Sequence, residues 1–279
     1  MQNISIVLIT YKSEKVIFNF IKKIPKDIKT IIIENSNNIK MKEEIEENYK
    51  NISVYIKENN GVSSSLNFAS QKINTEYFLQ ISPDIEFNFD DLETFLVLAQ
   101  KLNNKFASIG PRFADVKEKS HKQIDNKKEY ESINSIHGSC MFINKNNFDY
   151  IGGFDDNFFL FFEETDFCHR GKKKGYLSYQ TNRILVRSLG RSIDITDEKI
   201  EKKISNLLLW HFIWSKYYFT KKKYGSYLSI LIFTPLLVRI NLKIIFSRIV
   251  NNKKNLIKYK TRLNGLLTSI KGIKSYLRI

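Results

Sequence analysis

Residues 4–11 read Ile-Ser-Ile-Val-Leu-Ile-Thr-Tyr. A six-residue apolar run that closes on two polar tips is too short for a helix, and its β-branched content marks a strand buried on both faces. Further short runs of the same texture follow at 30–33, 53–56, 77–81, 106–109 and 140–143. Between them, 14–24, 40–49, 62–73 and 89–102 carry apolar residues at helical spacing, for example Leu92, Phe95, Leu96 and Ala99. Strand, helix and strand in alternation, with crossovers of that length, predict an α/β fold whose mostly parallel sheet is covered by helices on both faces.

Ligands of such sheets bind beyond the carboxyl ends of the strands. The residues there are Thr10 and Tyr11, then Glu34-Asn35-Ser36, then Asn59-Asn60-Gly61, then Ser82-Pro83-Asp84-Ile85-Glu86. Each alone reads equally well as a turn; together they predict one polar edge. Gly61, ahead of an expected helix, could let backbone N–H groups approach a phosphate. Asp84 and Glu86 supply the one or two carboxylates that a hard divalent cation takes from protein when diphosphate oxygens and water complete its shell. The plainer reading is a turn stiffened by Pro83. No Walker loop and no G-x-G-x-x-G pattern occurs, which argues against a P-loop ATPase and a classical dinucleotide site.

The densest chemistry lies in 152–170, Gly-Gly-Phe-Asp-Asp-Asn-Phe-Phe-Leu-Phe-Phe-Glu-Glu-Thr-Asp-Phe-Cys-His-Arg, where five acidic side chains fall within twelve positions among six phenylalanines. Aromatic walls raise the proton affinity of carboxylates by desolvation, as a general base working near neutral pH requires. Glu163, Glu164 and Asp166 are therefore the catalytic candidates, and they also suit the start of a helix whose far end carries Arg170 and Lys172–Lys174.

Composition narrows the classes. The 279 residues are 42% hydrophobic and hold two cysteines and four scattered histidines. A disulfide-stapled secreted module and a Cys/His zinc module are excluded. The net charge of +16 is uneven: 1–186 holds 25 basic and 25 acidic residues, whereas 187–279 holds 20 and 4. The last third thus seeks an anionic partner, and a membrane surface fits better than nucleic acid because no RRM, KH or zinc-finger pattern accompanies it. The apolar stretch 227–238, closed by Arg239, is only twelve residues long, so it is expected to lie in an interface or a core rather than to span a bilayer. Arg239, Lys243 and Arg248 are expected on one side of a helix over 227–250; a helical subdomain with merely solvated lysines is the competing reading. The first residues carry no export-signal pattern, so a cytoplasmic protein, peripheral on the inner face of the cell membrane, is expected.

These residues together resemble family 2 glycosyltransferases, most closely a rhamnosyltransferase-like branch. The resemblance rests on Ser5–Tyr11, Glu34-Asn-Ser36, Asn60-Gly61 with Asn67, Ser82-Pro-Asp84, and Gly152-Gly-Phe-Asp155 leading through Phe162-Glu-Glu164-Thr-Asp166 to Arg170 and Gly175-Tyr176. It covers about residues 4–192; the stretch around Trp210–Phe219 is similar to the downstream helical region of members that build surface polysaccharides. It implies a GT-A fold, Rossmann-like, at 1–192 and a basic amphipathic helical region at 193–279. It also implies inverting transfer of a sugar from a nucleotide-diphosphate donor to a glycan or lipid-linked acceptor. Thr10, Tyr11, Glu34, Ser36, Asn60, Gly61 and Asn67 would lie in the donor site, and Asp84 with Glu86 would hold Mg2+ or Mn2+. Glu164 would be the base, with Asp166 and Arg170 orienting its helix. The nucleoside acid and the base are Glu34 and Glu164 where the family usually has Asp. The late His near a Gly-Ser element is replaced by Val186-Arg-Ser-Leu-Gly-Arg-Ser192, so Arg187 or Arg191 is expected to take up diphosphate charge. A catalytically silent relative that serves as a binding or scaffold subunit is the alternative.

Overall fold

The computed structural model describes residues 3–115, 123–190, 193 and 198–278. The chain divides into two compact units, Met1–Asp155 with Glu164–Asp194, and Asp156–Glu163 with Ile195–Ile279.

In the first unit, β1 (Ile4–Thr10) lies between β2 (Lys29–Glu34) and β4 (Tyr77–Ile81), parallel to both, and β3 (Ile52–Ile56) extends the sheet beyond β2. Ile4, Ile6 and Leu8 enter one hydrophobic core and Val7 the other, which is why the run in β1 is apolar on both faces. The crossovers are α1 (Glu14–Ile21), α2 (Ile39–Asn48) and α3 (Val62–Ser70). Then follow β5 (Ile85–Glu86), α4 (Asp91–Lys101), β6 (Phe106–Phe113), β7 (Tyr130–Ile133), β8 (Cys140–Asn144), α5 (Lys145–Ile151), α6 (Glu163–Lys173) and β9 (Leu177–Ser188). Among the described residues the sheet order is β3-β2-β1-β4-β8-β6-β9-β5, with β7 paired to β9.

The expected α/β sheet is present, with one detail the runs did not carry. β8 is antiparallel to both β4 and β6, with Cys140 opposite Ile81. It begins at the edge where β4 and β6 end, so the chain returns without a crossover. α5 and β9 were not legible as apolar runs. Asn144 caps α5 by accepting from Asn147 N, and Gly152 ends it at φ 96°; β9 carries Gln180, Asn182 and Arg183 within a strand.

In the second unit, α7 (Glu198–Ile249) is broken at Gly225, whose φ is 81° and ψ 169°, and α8 (Lys253–Ile270) folds back on it. Gly265 permits this approach, because a Cβ there would lie 2.7 Å from Trp210 O. Trp210, Trp214 and Tyr217 are buried, with the indole N–H groups donating to Asn264 and to Ile273 O. These aromatics form the core of the unit.

Residues 156–163 belong to this unit, although the sequence boundary was expected at 192. Phe158 packs edge-on against Tyr218, and Phe159 stacks on His211 at 4.6 Å between ring centroids. Phe161 and Phe162 hold left-handed backbone, φ 66° and 68°, a strain of about 1–3 kcal/mol each for bulky residues.

Beyond Gly225, α7 is apolar outwards. Tyr227 is 91% and Ile249 76% exposed, and Leu231, Val238, Leu242 and Ile245 are exposed with them. At 100° per residue these share one face. Arg239 and Lys243 border that face on one side and Arg248 on the other, nine residues and half a turn away from Arg239. The expectation of three cations on a single side is thereby corrected. Among the described residues, the stretch Ile200–Ile249, taken across the break at Gly225, is long and apolar enough by length and composition alone to cross a membrane. The apolar stretch therefore exceeds the twelve residues counted in sequence, since Arg239 sits at the border of the face and does not interrupt it.

Candidate active site

Because β1, β2, β3 and β4 are parallel, their carboxyl ends share one edge of the sheet. Thr10 and Glu34 are register partners there. Thr10 Oγ1 donates to Glu34 Oε2 at 3.1 Å, and Glu34 Oε1 accepts from Ser36 N at 2.7 Å, from Asn38 N at 3.3 Å and from the Ser36 hydroxyl. The carboxylate is fully buried. The carboxylate thus organises the turn 34–38 at this edge. Lys12 N donates to Ser36 Oγ, which ties the β1 end, with Tyr11, to the same turn.

Asn60 is exposed and Gly61 is buried, with Gly61 at φ 95° directly ahead of α3. Asn67, expected in the donor site, is bonded to the glycine turn. Its amide accepts from Phe154 N at 2.9 Å and donates to Phe154 O at 2.8 Å, pinning the Gly152-Gly153-Phe154 turn. A Cβ at Gly153 would lie 2.8 Å from Asn67 Oδ1, which explains the glycine.

Asp84 lies past β4, half-buried. Burial pushes its carboxyl above the ordinary 3.8, and a hydrogen bond with Ser188 opposes this. Leu189 N donates to Asp84 O at 2.7 Å, so the end of β9 closes over this acid. Glu86 is register partner of Arg187, and both are exposed. Asp84, Glu86 and Arg187 are thus brought together; Arg191 lies outside the described residues. No group of three or more His, Cys, Asp or Glu side chains among the described residues could hold a metal ion by itself. The donor set fits a cation held by Asp84 and completed by diphosphate and water, and the exposed Glu86 is no closed second ligand.

Glu164 opens α6. Burial raises its carboxyl above the ordinary 4.5, opposed by backbone N–H groups of Glu164 and Thr165 and by the Thr165 hydroxyl, which donates to Glu164 Oε1 at 3.0 Å. A desolvated carboxylate with a raised pKa is suited to accept a proton near neutral pH. Glu163 is buried. Asp166, set beside Glu164 as catalytic by position, is 1% exposed and paired with Arg170 at 2.7 Å. Arg170 also donates to Ile151 O and Gly153 O. This pair fixes α6 to the glycine turn.

The turn His137-Gly138-Ser139, which no motif reading selected, joins the two acids. Ser82 N donates to Ser139 O at 2.8 Å, two residues before Asp84. A Cβ at Gly138 would lie 3.6–3.7 Å from the Glu164 side chain. His137 Nδ1 accepts from Ser139 N and is 2.7 Å from Ser139 Oγ, and its ring lies 4.4 Å from that of Phe113. The signal available in sequence was a Gly-Ser pair immediately ahead of an apolar run.

A family model described as Glycosyl transferase family 2 matches residues 5–169. The low-salt glycan biosynthesis hexosyltransferase Agl10 of Haloferax volcanii is 25% identical over 198 residues, which cover 62% of this chain and 63% of that protein. The chain thus spans a little under two thirds of the length of that relative. Among solved structures, the mannosyltransferase PcManGT from Pyrobaculum calidifontis, in complex with GDP-Man and Mn2+, superposes with a TM-score of 0.59 at 10% identity over 96% of this chain and 87% of that one. GalNAc-T7 with UDP, GalNAc and Mn2+ superposes with a TM-score of 0.55 at 13% identity over 68% and 44%. At these identities the likeness is one of fold.

Proposed function

The chain belongs to glycosyl transferase family 2, and from that premise we propose that it transfers a sugar from a nucleotide-diphosphate donor to an acceptor hydroxyl with inversion. The observation that supports this reading is the His137-Gly138-Ser139 turn, which accepts a backbone bond from Ser82, two residues before Asp84, and sets Gly138 against the Glu164 side chain. The loops at Thr10, Tyr11, Ser36 and Gly61 receive the nucleotide. Glu164 takes the proton of the acceptor hydroxyl as that oxygen forms its bond to the anomeric carbon, and the bond from that carbon to the diphosphate breaks. Asp84 would hold Mg2+ or Mn2+, which when bound would supply charge neutralisation for the leaving diphosphate. Arg187, beside Glu86, adds a bidentate donor for phosphate oxygens.

The acceptor is a glycan, carried on lipid, in surface polysaccharide assembly. The exposed apolar face of α7, bordered by Arg239, Lys243 and Arg248, supports this, because such a face suits in-plane docking on an anionic membrane. The protein works at the inner face of the cell membrane, and nucleic acid is no partner.

The test is nucleoside diphosphate release from UDP-glucose, UDP-N-acetylglucosamine, GDP-mannose and dTDP-rhamnose, with and without Mn2+, together with thermal shifts. One donor is expected to turn over in a cation-dependent way and to raise the melting temperature. Absence of both turnover and diphosphate binding would leave the silent relative as the reading.

A further inference from the structure

Residues 135–139, between β7 and β8, reach Glu164 at two points, and all of these residues belong to the first unit. One point is Gly138, where a Cβ would lie 3.6 Å from Glu164 Cγ. The other is Ser135, whose Oγ lies 2.9 Å from Thr165 Oγ1. Thr165 Oγ1 in turn donates to Glu164 Oε1 at 3.0 Å. A hydroxyl carries a single proton. Because Thr165 gives its proton to the carboxylate, Ser135 is the donor in the bond between the two hydroxyls. The chain therefore runs in one direction, from Ser135 through Thr165 to Oε1. Ile136 O, at 3.4 Å from Ser135 Oγ, is the weaker acceptor for the same proton. Bonds in such a series polarise one another, and the bond that ends on a carboxylate is the strongest of them. Anchored at Oε1, the carboxylate is held against rotation about its last bond, so the direction of both its oxygens is fixed.

We propose that Thr165 and Ser135 are positioning residues for the base: their hydroxyls form a directed chain that ends on Glu164 Oε1 and orients the carboxylate toward the acceptor hydroxyl. Thr165 acts on Glu164 directly, and Ser135 acts through Thr165. This inference rests on the reading of Glu164 as the base. Neither hydroxyl meets donor or acceptor in this scheme.

The test uses the full chain and diphosphate release from whichever donor of the panel turns over. Losing a hydrogen bond to a charged group costs on the order of 10- to 100-fold. Thr165→Val, which keeps the branched shape, is expected to lower kcat by that factor. Donor KM is expected to stay within about twofold, and melting within a few degrees, since Thr165 and Ser135 are half-buried. Thr165→Ser, which keeps the hydroxyl, is expected to restore kcat to within about threefold. Ser135→Ala is expected to lower kcat by about 3- to 10-fold in the parent but by less than about twofold in Thr165→Val, because a chain already broken has nothing to pass on. In a Glu164→Gln background, Thr165→Val is expected to cost less than about twofold more, since a base already removed cannot be misdirected. Losses that multiply in either double variant, an unchanged kcat in Thr165→Val, or a Thr165→Ser variant as slow as Thr165→Val would overturn the chain. A Glu164→Gln variant with full turnover, or a parent chain silent with every donor, would instead remove the base reading beneath it.

Discussion

Gly138 stands against Glu164 with room for one methyl group and no more: a Cβ built there meets Glu164 Cγ at 3.6 Å and Cδ at 3.7 Å. These are ordinary van der Waals contacts, so Gly138→Ala is compatible with the fold. The methyl would shed water from the carboxyl and crowd the approach of an acceptor. The expected outcome is a melting temperature within a few degrees of the parent and a kcat lowered by about tenfold, with the rising limb of the pH–rate profile moved to higher pH.

Asp166 and Arg170 form a pair whose acid is almost fully enclosed. Removing one member of a buried pair leaves an uncompensated charge and costs about 3–5 kcal/mol. Arg170→Ala also deletes the bonds to Ile151 O and Gly153 O and is expected to lower the denaturant midpoint strongly. Arg170→Ala together with Asp166→Asn is expected to recover part of that loss, measured by equilibrium urea unfolding.

His211 is buried, donates Nε2–H to Leu277 O at 2.9 Å and feels the Arg278 charge. Burial holds its pKa at about 4, below the ordinary 6.5. A histidine so depressed stabilises the fold above pH 6.5, and this contribution is lost progressively as pH falls from 6.5 to about 4. The window corresponds to about 3 kcal/mol. His211→Gln is expected to flatten this acid limb of the melting-temperature profile, followed by calorimetry between pH 4 and 7.

The outward face of α7 gives a separate prediction. Leu231→Asp with Leu242→Asp changes two exposed residues and is expected to abolish flotation with vesicles of phosphatidylglycerol and phosphatidylcholine while the melting temperature holds. Flotation that survives both changes would place membrane binding elsewhere.

The fold was legible wherever a strand is buried on both faces, because β1, β2 and β4 then read as short, mostly apolar runs. β9 was not, since Gln180 and Asn182 make hydrogen bonds within the sheet region to Ile124 N and to loop carbonyls, and polar residues with such partners leave no hydrophobic period. The two acids of the site stood out by their motifs. Their connection did not: the His137-Gly138-Ser139 turn works through backbone bonds and a missing side chain, which leave little trace in residue type. The bond of Asn67 to a remote turn left no mark either, since an amide that pins a turn looks in sequence like an amide that meets a ligand. The left-handed pair Phe161 and Phe162 was hidden too, because nothing in two phenylalanines announces positive φ.

The central claim is that Asp84 and Glu164 divide the chemistry, one gripping the diphosphate and its cation, the other taking the acceptor proton. It is tested most directly by measuring kcat and donor Kd for Glu164→Gln and Asp84→Ala side by side. Removal of a general base is expected to lower kcat by about 100- to 10,000-fold, with donor Kd within about twofold, whereas Asp84→Ala is expected to weaken Kd and kcat together. Equal losses of donor affinity in the two variants would contradict the account.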